Sequence, residues 1–232
     1  MKLGIMQPYF FPYIGYWQLL NYVDKFVVFD DVNFKKRSWM TRNRIILDGN
    51  EKYINLQIQN ASQNKLICET AVLFDLKERQ KLLNTLNLAY RGSPYRAEVM
   101  EMLTPLILND EENLADFLYL LIDGVKNYLG IKTELCRSSE IRGKEHGASE
   151  QGIIELCEQL GATEYINPIG GTELYCKDNF DGKGVTLRFL RTNFDKMRQD
   201  GLPYVSDYSI IDLMMNLSKE QLADQLVYFE LL

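Results

Sequence analysis

Histidine is almost absent: one residue in 232, His146. That excludes a metal cluster built on several imidazoles and leaves Ser-His-Asp or Cys-His chemistry a single candidate base. His146 lies in the polar run Arg142-Gly143-Lys144-Glu145-His146-Gly147, which reads as a solvated loop. The four cysteines (Cys68, Cys136, Cys157, Cys176) are widely spaced and form no CxxC pair, which argues against a disulfide framework or a structural zinc site. No run of 18 apolar residues exists, so nothing reads as a membrane-spanning helix. The opening MKLGIM is cut off by Gln7-Pro8, too soon for the apolar core of a signal peptide. The patterns GxxxxGK[ST], GxGxxG and GxSxG are missing, which leaves a P-loop triphosphatase, a dinucleotide dehydrogenase and a serine-elbow hydrolase unsupported. An excess of base is missing too. With 26 Lys+Arg against 32 Asp+Glu the net charge is −6, a poor match for nucleic acid. These absences together read as a soluble cytoplasmic chain without an integral membrane segment.

What is present is globular: 46% hydrophobic and 25% charged residues, in a length suited to one large domain or two small ones. Residues 2–6 form a short apolar run. QPYFFPYIGY (7–16) follows, its two prolines barring a regular helix. A helix from Ile14 to Val23 and a second apolar run, Lys25 to Asp30, complete a β-loop-α-β unit whose two strands should be parallel. Arg44–Leu47 and Tyr53–Ile58 flank Asp48-Gly49, a hairpin signal. Helical patterns fill about 75–90, 95–108 and 112–130, with Asn109 or Asp110 placed to cap the third. Strands are expected at Lys132–Ser138, Thr163–Asn167 and Val185–Leu190, and a helix at Ser149–Leu160. Two helices are expected over 209–230, parted near Ser218 with Gln221 as its capping-box partner. The fold class is α/β: a mainly parallel sheet built on the N-terminal β-loop-α-β unit, with a helical insertion or subdomain at about 75–130 and C-terminal helices, all in one domain.

Ligands of open parallel sheets bind beyond the carboxyl ends of the strands. Three segments fall there: 7–16, Asp30-Asp31-Val32-Asn33, and Asn167-Pro168-Ile169-Gly170-Gly171-Thr172. The short crossover predicts that Gln7 and the two aspartates end side by side. Asp30 and Asp31 alternate sides, so one is expected to face the site as general base or Mg²⁺ ligand and the other to cap or pair; an acidic turn explains them equally well. Mg²⁺ on Asp31 is the one cofactor candidate. Lys35, Lys36, Arg37, Arg42 and Arg44 form a run of cations without an acid, with Trp39 among them. Arg42 and Arg44, two apart on a strand, share a face and suit an anion; neutralising the acidic remainder of the chain is the plainer alternative. Gly170-Gly171 permits close backbone approach, and Thr172 is placed to cap a helix beginning at Glu173. Among the aromatics of 9–17, one or two such as Tyr9 are expected to stack on a sugar or base, the rest to pack.

The stretch IMQPYFFPYIGYWQLL…DKFVVFDDVNFKKRSWMTRNRI (5–45) resembles the opening of the WbqC-like protein family. The resemblance resumes at EYINPIGGTELYCKDNF (164–180), GVTLRFL (184–190) and SIIDLMMN (209–216). Carried over residue by residue, the motif positions are Gln7, Pro8, Pro12 and Gly15; Asp30, Asp31 and Val32; Arg42, Asn43 and Arg44; Gly170 and Gly171. Many relatives have a histidine before the glutamine where this chain has Met6, which speaks against a mechanism needing an imidazole there. The β-loop-α-β start also looks like that of nucleotidylyltransferases with HxGH after strand one, whose histidines are missing here.

The resemblance implies bacterial surface polysaccharide (O-antigen-type) biosynthesis. The expected activity is a transferase moving a small group, glycine or another aminoacyl, onto a nucleotide- or lipid-linked sugar. Alternatives are a nucleotidylyltransferase-like enzyme, or a non-catalytic sugar-nucleotide binding or scaffold protein of the same pathway. In the first reading Asp30 or Asp31 is base or metal ligand and Gln7 orients the acceptor. Arg42, Asn43, Arg44, Tyr9, Gly15, Gly170, Gly171 and Thr172 bind substrate. Donor, acceptor and oligomeric state are left open.

Overall fold

A computed structural model describes residues 1–142 and 149–232; His146 lies outside them. A six-stranded sheet carries the molecule. In chain order its strands are β1 (Lys2–Met6), β2 (Lys25–Val28), β5 (Glu134–Arg137), β6 (Glu164–Pro168), β7 (Thr186–Thr192) and β8 (Phe229–Leu231). Their spatial order is β5-β2-β1-β6-β7-β8, with all neighbours parallel except β7 and β8. Counted within the sheet this is 3-2-1-4-5-6, the doubly wound order whose direction of winding reverses between the first and fourth strands. The switch point therefore lies between β1 and β6.

β1 is apolar because it is central: Leu3 and Ile5 are buried, and at Gly4 a Cβ would press on the Phe26 ring at 3.1 Å. Helix α1 (Ile14–Tyr22) links β1 to β2 with Ile14 through Leu20 all buried and only Asn21 exposed. It therefore shows no polar stripe. Its one buried amide, Gln18, is satisfied by donating to Gln225 O (2.9 Å) and Tyr228 O (3.0 Å) and accepting from Thr192 Oγ1 (2.7 Å).

The hairpin pairs β3 (Arg42–Leu47) with β4 (Asn50–Asn55). Its turn has φ of 50° at Asp48 and 77° at Gly49, the two left-handed positions of a tight primed turn. Such a turn forces Leu47 to pair with Asn50, so β4 begins at polar Asn50 and ends before Ile58, earlier than the apolar pattern suggested. Three helices follow: α2 (Leu76–Ala89), α3 (Arg96–Leu108) and α4 (Leu114–Tyr128). Asp75 caps α2 through Glu78 N. The cap of α4 is Asn113, which accepts from the amides of Ala115 and Asp116, not Asn109 or Asp110; the Asn109 carboxamide oxygen is taken by Glu111 N. Arg79 ties the block together: its guanidinium lies 4.9 and 5.0 Å from the Phe74 and Phe117 rings. It also donates to three backbone carbonyls, of Phe74, Ile107 and Glu111.

Beyond β5 come α5 (Ser138–Arg142) and α6 (Glu150–Gln159, capped by Ser149), then α7 (Lys177–Asp181), α8 (Phe194–Gln199), α9 (Ile210–Asn216) and α10 (Lys219–Gln225). Ser218 and Gln221 form the expected capping box of α10. Three local expectations are corrected. Ser138 opens a helix rather than ending a strand. Thr172 caps no helix: Ile169–Gly171 is a single 3₁₀ turn, the Thr172 hydroxyl donates back to Ile169 O, and the next helix starts at Lys177. The C-terminal stretch is not helical to its end, because Phe229–Leu231 adds β8 to the edge of β7.

Candidate functional site

The loop after β1 sets the site. Pro8 and Pro12 stiffen it, and Phe11 adopts φ of 46°, a left-handed conformation costing a β-carbon residue about 1–2 kcal/mol. The surroundings hold that shape. Asn43 Nδ2 donates to Phe10 O (3.0 Å) and Phe11 O (2.6 Å), and Ser209 Oγ donates to Phe11 O (2.9 Å). Trp17 Nε1 and Ile210 N both donate to Pro12 O at 3.0 Å. Asn43 is thus a buried clamp on the loop, while also touching the outer compartment described below. Gly15 makes room for the Tyr13 ring, which folds back onto the first turn of α1: any Cβ there would overlap the Tyr13 hydroxyl and Thr192 Oγ1.

Two adjoining compartments open at the switch point. The inner one, about 430 Å³, lies between the ends of β1 and β6 and is lined by Gln7, Asn167, Gly170 and Gly171 with Met6, Phe29 and Tyr175 around them. The outer one, about 290 Å³, is lined by Asn43, Arg44, Phe194, Asp207 and Pro12. Tyr9, Tyr13 and Trp39 line both, forming an aromatic waist. Trp39 and Tyr13 are exposed although large and largely apolar, at 41% and 37%.

Gly171 is fixed by its neighbour. A Cβ there would overlap Asn167 Oδ1, and Asn167 is held in place by donating to Tyr165 OH at 2.6 Å. At Gly170 a Cβ would meet nothing within 4 Å, so its backbone stands open to the cleft.

Arg44 projects from β3 into the outer compartment between Glu51 Oε2 (3.1 Å) and Asp207 Oδ2 (3.4 Å), with the rings of Tyr208 (5.1 Å) and Trp39 (5.7 Å) beside its guanidinium. Arg42 shares the strand face but leans on Tyr53 at 5.2 Å and lines neither compartment. The pair is therefore not one fork.

The aspartates lie elsewhere. Phe29 N donates to Met6 O, so Phe29, not an aspartate, is the neighbour of Gln7 on the cleft wall. Asp30 is buried and consumed by the start of α5, accepting from Ser139 N (3.0 Å) and Ser139 Oγ (2.8 Å). Asp31 accepts a short hydrogen bond from Ser138 Oγ, and its Oδ2 is buried without a partner. Among the described residues no three or more His, Cys, Asp or Glu stand together as a metal site, so one free carboxylate oxygen is all that Asp31 offers Mg²⁺.

The titratable side chains lining the inner compartment are tyrosines. Burial raises the pKa of Tyr9, Tyr13, Tyr16 and Tyr175 above the ordinary phenol value; the neighbouring Tyr13 raises Tyr9 further, while a bond to Thr192 partly offsets the rise at Tyr13. At neutral pH the wall presents neutral hydroxyls. Sequence reasoning placed Asn167 in a ligand-end segment without giving it a role, and missed Phe194 and Asp207 as lining residues. Phe194 and Asp207 belong to no local motif and arrive through the end of β7 and the loop before α9, whereas Trp39 stood visibly among the cations.

A doubly wound α/β protein with an aromatic-waisted cleft at its switch point is the class these features define. More particularly, the chain belongs to the WbqC-like protein family, whose model matches residues 7–224. It is 28% identical over 223 residues to the Mycobacterium tuberculosis (strain ATCC 25618 / H37Rv) protein described as "Uncharacterized protein Rv1507c", covering 94% of this chain and 95% of that one. No solved structure matches.

Proposed function

We propose that this chain is a transferase of bacterial surface polysaccharide (O-antigen-type) biosynthesis that moves a small group, glycine or another aminoacyl, onto a nucleotide- or lipid-linked sugar. The observation that supports this best is the waist: Tyr9, Tyr13 and Trp39 offer ring faces to a sugar at the junction of two compartments. Donor and acceptor would meet there. Arg44 would exchange one of its carboxylate partners for the anionic part of the ligand, and Gln7 and the open backbone at Gly170 would orient the acceptor. Among the described residues the cleft supplies no carboxylate set for Mg²⁺.

A second reading, a non-catalytic sugar-nucleotide binding or scaffold protein, is favoured by one feature. The inner compartment is lined by protonated phenols and by no carboxylate or imidazole among the described residues. One experiment separates the two. Thermal shift with sugar nucleotides, nucleoside triphosphates and amino acids should show stabilisation of about 2.7 kcal/mol at a hundred times the dissociation constant. The shift should fall at least tenfold in affinity for Arg44→Ala and stay within twofold for Arg42→Ala. Product formed from a sugar nucleotide and an activated aminoacyl donor supports the transferase; a shift without product supports the scaffold. Equal loss in both arginine variants would overturn the assignment of the cleft.

A further inference from the structure

We infer that the loop between β2 and β3 docks the cleft mouth onto an anionic lipid surface. In a chain of net charge −6, this loop concentrates Lys35, Lys36 and Arg37, all exposed. Lys65, also exposed, joins them, because Phe34 N donates to Lys65 O at 2.8 Å and Asn33 bridges to Leu66. Among the described residues none of these four enters an ion pair. The carboxylates of neighbouring elements are engaged or buried: Glu69 accepts from Leu66 N, Glu51 and Asp207 pair with Arg44, and Asp30 and Asp31 are buried.

The loop is built to display these charges. Phe34 and Met40 are buried anchors on either side of them, Ser38 Oγ donates to Lys35 O at 2.7 Å, and Arg37 holds φ of 55°. Phe10 N donates to Trp39 O at 2.8 Å, tying the loop to the one that shapes the cleft. Trp39, two residues past the cations, is 41% exposed and lines both compartments. Cations beside an exposed indole fit the headgroup region, where basic side chains meet anionic lipid and tryptophan settles at the interface. Four cations on an otherwise acidic chain are a small footprint for nucleic acid, which needs a broad basic face. The membrane would then lie across the cleft entrance. For the identity of the occupant this rests on the proposed transferase reading, whose lipid-linked acceptor it selects; the docking itself does not depend on that reading.

The test is co-sedimentation of the full chain with vesicles of phosphatidylcholine alone or with one third phosphatidylglycerol, read also by tryptophan emission. The chain has two tryptophans, and Trp17 is fully buried, so Trp39 reports the contact. Binding should appear only with the anionic vesicles, shift the emission to the blue, and reverse as salt rises from 0.1 to 0.5 M. At about fivefold per cation, the triple variant Lys35→Ser, Lys36→Ser, Arg37→Asn should bind about a hundredfold more weakly with its thermal midpoint unchanged. Trp39→Phe should lose the blue shift while retaining charge-dependent binding. Equal binding to both vesicle types, no binding to either, equally tight binding to heparin, or an undiminished triple variant would overturn the inference. Vesicle binding without any cleft ligand or product would retain the docking and sink the transferase reading instead.

Discussion

At the scale of single residues, two adjacent glycines of the switch point have different reasons to be glycine. Gly171 packs where a methyl would strike the Asn167 carboxamide, and Asn167 cannot turn aside without releasing the Tyr165 hydroxyl. Gly170 borders empty space. Gly171→Ala should therefore cost about 1–3 kcal/mol, the range of an overpacked interior, while Gly170→Ala should leave stability nearly unchanged and act on ligand affinity alone. Urea denaturation of the two variants checks the first half, and the thermal-shift screen the second. Asn43 shows the same division. Read in the sequence it was a substrate-binding candidate; in the fold its amide is spent on Phe10 and Phe11, which keeps the left-handed Phe11 in place. Roles of this kind depend on what a side chain touches across 30 residues of sequence, and the local pattern carries no trace of it.

At the scale of elements, periodicity and punctuation were legible where one local signal dominates. Asp48-Gly49 marks its turn because both residues readily take the left-handed conformation that a tight primed turn of this kind needs, and the three helices between the hairpin and β5 follow from their apolar spacing. The cap of α4 was misplaced because Asn109, Asp110 and Asn113 are all capping residues; the choice is made by Cys68 O, which receives the Asn113 amide at 2.7 Å from a distant turn. Asn113→Ala should accordingly lower stability by about 1 kcal/mol, and Asp110→Ala by no more than a few tenths, as thermal unfolding of the two proteins would show. β8 escaped notice for a similar reason. Three residues hold no period, and their strand state comes from the free edge of β7, with Leu232 and Phe189 bonding each other in both directions.

At the scale of the whole molecule, the order of strands was legible only in part: parallel pairing of β1 and β2 followed from the short crossover, but the position of β6 on the other side of β1 did not. That placement creates the switch point and draws Asn167 and Gly171 towards Gln7 while the aspartates go to β5. The molecule also encloses two phenols completely, Tyr16 and Tyr165, with pKa values held well above 10.0 by loss of hydration. The sign of the linkage is set by this. A phenol whose folded pKa is raised stabilises the fold at pH below its unfolded value, and that contribution is lost as the pH climbs above it. Stability should be flat with respect to these groups from neutrality to about pH 10 and fall beyond it. Tyrosinate absorbance should rise together with the loss of helix in circular dichroism. Ionisation of the buried pair in a chain that stays folded would contradict the burial.

The shared waist has a consequence for order. Because Tyr9, Tyr13 and Trp39 wall both compartments, a molecule seated in one fixes the shape offered to the other. Two ligands would then not bind as strangers: the gain either confers on its neighbour's affinity must be returned in equal measure. The free energies of the separate complexes should therefore fail to add up to that of the ternary one.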